Sequence, residues 1–240
     1  MRKFRATKLK ISAINLLAIS LILIFSTLCS AGVQVGKVLQ LNGPLFAKKA
    51  DATIKVLSVN SQVEEGDTLI TEDKTYARVR FSDDSEIILR PNTRFRISEY
   101  YFDKASPKGD KSFFDLLKGG IRAVTGMIGK RSSLGSYKMT TVTAVIGVRG
   151  TSYEARICEV NCGSLADGLY LFVSDGIIGV SNNAGSLDVG MGQFAYVANA
   201  ESFPVILPEK PGIDFTMPVT FGIGPEEGEP DHANNGCMCR

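Results

Sequence analysis

The chain has 240 residues, 27 Lys and Arg against 25 Asp and Glu, 24 glycines and no tryptophan. Residues 1–31 hold five of the basic side chains and no acidic one, so the net charge of +2 becomes −3 once that stretch is set aside. A protein that neutralises phosphates needs clustered Lys and Arg, and no basic run remains beyond residue 31, which excludes nucleic acid as a partner.

The N-terminus reads as an export signal. Arg2, Lys3, Arg5, Lys8 and Lys10 precede an almost unbroken apolar run over residues 11–28, and Cys29-Ser30-Ala31 supplies small residues for cleavage before Gly32. Eighteen apolar residues also reach the lower limit for spanning a bilayer, so an uncleaved anchor over 11–28 is the alternative. The expected organisation is a signal peptide at 1–31, a β domain at 32–203, and a Pro-rich acidic arm with a flexible tail at 204–240.

From residue 33 the pattern is that of short strands between Gly, Pro, Asn and Asp turns. VQVGKVLQL (33–41) is the first, and residues 45–48 follow the Asn42-Gly43-Pro44 turn. Residues 63–67 read as a polar turn into a strand at 68–71. In 76–81, Ala77, Val79 and Phe81 alternate with Arg78 and Arg80, the period of a half-buried strand. Extended runs are predicted at 86–89 and 94–100, separated by Pro91-Asn92. Residues 111–130 are ambiguous, because Phe113, Leu117, Ile121, Val124 and Ile128 fit a helical face. However, Gly119, Gly120, Gly126 and Gly129 each disfavour helix by about 1 kcal/mol relative to Ala. The spacing predicts two short strands there, with one helical turn near 113–118. Strands at 137–148, 152–157, 169–173, 177–180 and 194–197 complete the series, and no amphipathic helix suits a βαβ fold. Six of the nine prolines lie beyond residue 200, where Phe215, Met217, Val219 and Phe221 suggest a short terminal strand.

Beyond the leader, four cysteines remain. Cys158 and Cys162 are read as a local disulfide, which an oxidising compartment permits. The alternative is a metal pair drawing on His232, Cys237 and Cys239.

Three segments in order resemble the FecR domain family. The first is EGDTLITEDKTYARVRFSDDSEIILRPNTRFRISEY (65–100). It has the family's Gly-Asp-Thr entry at Gly66 and Asp67, its central turn at Asp83-Asp84-Ser85 with Asp84 replacing the usual glycine, and its Pro91-Asn92 turn. The second is LLKGGIRAVT (116–125). The third is TAVIGVRGTSYE (143–154), with Gly147, Arg149, Gly150 and Thr151. The resemblance covers about 33–197 and implies an extracytoplasmic all-β module of right-handed β-helix-like or rolled architecture, with a cupin-like jelly roll as the fold alternative. The family's best-known members regulate ferric-siderophore signalling through a cytoplasmic anti-sigma segment. Only ten residues precede the apolar run here, so such a segment is not expected.

Two readings of Arg149 are open, a buried tether at a corner or a ligand-binding side chain. Catalysis through histidine is excluded by a sole His232 in the acidic tail. Asp83, Asp84 and Glu86 leave a glycan-acting carboxylate pair as a weaker alternative to a solvated turn. No cofactor or metal is expected. The sequence reads as a non-enzymatic binding or signalling module of the bacterial envelope, periplasmic or secreted, whose partner is another envelope protein or polymer; a structural scaffold is the competing role.

Overall fold

The computed structural model describes residues 32–132, 135–159 and 162–221. The signal segment, His232, Cys237 and Cys239 lie outside them. From Gln34 onward the described residues form one compact unit that holds every described strand.

Among the described residues, eighteen strands lie in two nine-stranded sheets. In chain order they are β1 (Gln34–Asn42), β2 (Leu45–Lys48), β3 (Ile54–Leu57), β4 (Gln62–Glu64), β5 (Thr68–Thr71), β6 (Tyr76–Phe81), β7 (Glu86–Leu89), β8 (Arg94–Tyr101), β9 (Lys111–Lys118) and β10 (Gly120–Val124). After a short helix α1 (Met127–Arg131) come β11 (Tyr137–Thr140), β12 (Val145–Val148), β13 (Ser152–Cys158), β14 (Gly168–Asp175), β15 (Ile177–Asn182), β16 (Gly185–Gly190), β17 (Phe194–Val197) and β18 (Val205–Leu207). The first sheet has the order β18-β17-β14-β13-β10-β7-β6-β1-β4, and the second β16-β15-β12-β11-β9-β8-β5-β2-β3. From β6 onward the chain places one or two strands in one sheet and then crosses to the other.

The alternation predicted for these strands is what builds the core. Ala77, Val79 and Phe81 of β6 and Ile121 and Ala123 of β10 face Phe95 and Ile97 of β8 and Phe114 and Leu116 of β9, all in one buried cluster. Phe114 lies at its centre, 5.1 Å from Phe81, 5.2 Å from Phe95 and 5.7 Å from Tyr137 between ring centroids. Each of the larger side chains, Val, Leu, Ile or Phe, contributes about 1.5–3 kcal/mol by leaving water.

The all-β expectation is met, but the β-helix is not confirmed. Rungs of a β-helix stack in parallel, whereas the ladders here are antiparallel apart from β9 with β11. The helical turn expected at 113–118 is strand, and the helix falls instead at α1. Its position is set by the 83–85 turn: the Met127 and Ile128 N–H groups donate to Asp83 O and Asp83 Oδ2 at 2.7 and 3.1 Å. Gly126, read as a helix breaker, is what permits this approach, since a Cβ there would stand 2.2 Å from Asp83 O.

The arm also differs from expectation. Val205–Leu207 pairs with β17 as β18. No strand forms at 215–221; the segment instead ends in a 3-10 turn (Val219–Phe221), with Phe215, Met217 and Phe221 buried and Val219 97% exposed.

Candidate functional site

The motif residues gather where the chain crosses between sheets. At one crossing, Thr71 Oγ1 donates to Arg90 O at 2.6 Å and accepts from the Thr93 N–H at 2.9 Å. Thr93 Oγ1 donates to Gly120 O and accepts from the Gly120 N–H, both at 3.0 Å. At another, Thr125 Oγ1 accepts from the Thr151 N–H at 2.7 Å, and Thr151 Oγ1 donates to Ile177 O at 3.1 Å. A hydroxyl that both gives and takes satisfies two backbone groups where no ladder can reach them, which is why a buried corner selects threonine.

Two buried carboxylates organise turns. Asp67 Oδ2 accepts from the Glu64 N–H at 2.9 Å and from Lys49 Nζ at 3.1 Å. Lys49 loses some basicity to burial, but its bonds to Asp67 and Glu64 outweigh that and hold its ammonium above the usual value. Asp83, 1% exposed, accepts from the Ser85 N–H and hydroxyl and from Tyr100 Oη through Oδ1. Burial, and then the Asp83 charge, push the Tyr100 phenol well above its ordinary pKa. Gly66, Asp84, Asn92 and Gly150 have left-handed φ values of 85°, 63°, 57° and 64°. The Asn92 N–H donates to Glu72 O at 3.2 Å, while Pro91 is half-buried beside it.

On the outer face of the first sheet four arginines are bonded within the fold. Glu86 bridges two arginines, with Arg78 Nε 2.7 Å from Oε2 and Arg80 Nε 2.8 Å from Oε1. Arg90 Nη2 donates to Glu154 Oε2 at 2.9 Å and to Thr216 O at 3.2 Å. Arg156 Nη1 and Gln40 Nε2 donate to Asp214 O and Thr220 O at 2.6 and 2.7 Å. Residues 213–221 thus form a strap across the strands. Phe215 packs on Phe172 and Phe194, with Met217 and Phe221 against Ile88. Burial pushes the Glu154 carboxyl upward against the opposing pull of Arg90.

The second sheet's outer face carries the remaining motif residues. Gly147 of β12 pairs with Gly179 of β15, and the same row continues to Lys138 of β11 and Asp188 of β16. Two side-chain-free positions side by side leave a shallow trough of about 470 Å³, bounded by Arg149, Ile177 and Asp188. Arg149 is exposed, which corrects the reading of a buried tether; the corner is held by Thr125 and Thr151 instead. Cys158 and Cys162 form a disulfide. Among the described residues, no group of three or more His, Cys, Asp or Glu is placed to hold a metal, and no helix is long and apolar enough to cross a membrane.

Fold and site therefore define a two-sheet, all-β domain whose motif residues fasten corners and leave one decorated outer face. Residues 67–169 match the family described as FecR protein. A search of curated proteins returned no significant match. Two solved structures of a "putative anti-sigma factor" from Parabacteroides distasonis are similar at 13% identity, with a TM-score of 0.46, each covering 58% of this chain. The chain spans 58% of the length of those proteins, and at this level no role is transferred.

Proposed function

We propose that this protein is an exported FecR-domain module of the bacterial envelope that works by binding rather than by catalysis, and that it meets an envelope protein or polymer at the Gly147–Gly179 trough. One observation carries the reading. Arg149, a motif residue, stands exposed at the trough's edge and makes no hydrogen bond or ion pair within the fold among the described residues. A planar cation with unspent donors beside a bare backbone floor suits an extended ligand bearing a carboxylate. The non-enzymatic half is supported by the buried carboxylates. Asp67, Asp83, Glu86 and Glu154 each accept hydrogen bonds that hold turns or arginines, which leaves none of them aimed at a substrate. The leader over 1–31 supports export, and the FecR domain supports a signalling role without naming its input.

A photo-crosslinking residue at position 177 in intact cells tests the binding site, with position 209 as the control. Capture of one partner at 177, lost on Arg149→Ala without a change in melting temperature, is the expected result. Equal capture at both positions, or a fall in stability with Arg149→Ala, overturns it. Recovery of the protein from the cytosolic fraction overturns the export half.

A further inference from the structure

Away from the trough, one end of the second sheet's outer face gathers cations that are not spent within the fold. Arg94 of β8 stands directly opposite Lys118 of β9, a cross-strand pair of like charges. Such a pairing is destabilising, and neither side chain makes an ion pair among the described residues. Arg96 of β8 opposes Thr68 on one side, which in turn opposes Lys48 of β2, and Asp115 of β9 on the other, whose carboxylate accepts from the Ser98 hydroxyl. These four cations are exposed and make no ion pair among the described residues, whereas Arg78, Arg80, Arg90 and Arg156 on the other sheet are all bonded within the fold. Large aliphatic side chains are exposed among them, with Ile54 62%, Val56 69% and Leu117 45% accessible.

We infer that this basic, aliphatic face of β2, β3, β5, β8 and β9 is a docking surface for an anionic membrane. Cations reach headgroups while aliphatic tips enter the interface, and the two together are the signature of a surface-bound protein. An acidic polypeptide would satisfy the charges but would not account for three exposed aliphatic side chains set between them. In sequence, β1 begins six residues after the apolar run 11–28, which brings the chain to a bilayer. This last argument rests on the export half of the proposed function; the surface itself is read independently of it.

The test is co-sedimentation of residues 32–240, which contain both sheets and the whole core, with vesicles of equal phosphatidylglycerol and phosphatidylcholine. Binding is expected at low salt, weakened as salt screens the charges, and absent on pure phosphatidylcholine. Each cation near an anionic surface counts for roughly fivefold in affinity, so Lys48→Ser, Arg94→Ser and Arg96→Ser together should weaken binding by at least about tenfold. Lys108→Ser, Lys130→Ser and Lys210→Ser together remove equal charge from exposed sites elsewhere and should leave binding unchanged. Ile54→Ser with Val56→Ser should weaken it as well, and thermal melts should show all variants folded. No binding at low salt overturns the inference, as does an equal loss in the control triple. Retention on poly-glutamate with vesicles left unbound overturns it in favour of an acidic polypeptide. Because the assay needs no cell, its failure is separate from failure of export, which fractionation reads.

Discussion

Tyr100 and Asp83 exchange two hydrogen bonds: the phenol donates to Asp83 Oδ1 at 2.9 Å, and the Asp83 N–H donates back to the phenol oxygen at 3.0 Å. The pair ties β8 of one sheet to the 83–85 turn of the other, and that turn holds α1. Tyr100→Phe leaves a buried N–H without its acceptor, at a cost of about 1–3 kcal/mol. Asp83→Ala strips acceptors from Ser85, Ile128 and Tyr100 together and should cost more than Tyr100→Phe. Urea unfolding of both variants checks the order; equal losses would show that the helix and the Ser85 bonds contribute nothing.

The same turn gives a backbone prediction. Asp84 sits at φ 63°, a conformation Asp tolerates and Ala does not. Asp84→Ala should lower stability by about 1 kcal/mol, while Asp84→Gly should be neutral or stabilising by up to about 1 kcal/mol. Thermal melts of the two variants, read against the parent, decide it.

The strap makes the third prediction. Phe215 is 5% exposed against Phe172 and Phe194, so Phe215→Ala should destabilise by about 3–5 kcal/mol. Ending the chain at Gly212 should also uncover Ile88, detectable as new binding of a hydrophobic dye. Unchanged stability in both would mean that the strap lies on the sheet without holding it.

The strands with clean period-two alternation were legible in the sequence because one face of each is buried and the other is not. β6 and β8 are the clearest, since Arg78, Arg80, Arg94 and Arg96 mark their outer faces. What escaped was short or contextual. β3 reads IKVL, with no alternation because an edge strand exposes three of its four residues, and β16 was obscured by its flanking turns. The strap was hidden by its prolines, which signal irregular backbone but say nothing about whether aromatic residues between them find a surface. The basic face was invisible for a related reason: Lys48, Arg94, Arg96 and Lys118 come from three separate strands, so no run of charge appears in the sequence. Of the motif residues, Thr151 and Asp83 turn out to be fasteners, and only the pairing of Gly147 with Gly179, set by register, reveals a trough.

Glu154 gives the pH prediction. Burial raises its folded-state pKa above the ordinary carboxylate value, with Arg90 pulling the other way. Between the unfolded and folded values the native state therefore holds more of this proton than the unfolded chain does. Stability attributable to Glu154 should accordingly fall as the pH rises through that window, starting near the usual glutamate range and levelling above the raised pKa. Glu154→Gln keeps the shape and an acceptor for Arg90 but removes the titration. The difference in unfolding free energy between parent and variant, followed by urea denaturation at successive pH values, should shift against the parent as the pH rises and then become constant. A difference that moves the other way would mean that the Arg90 ion pair, and not burial, governs the carboxylate. Arg90→Met should then restore the upward shift by removing the opposing cation, while also releasing Thr216 and loosening the strap.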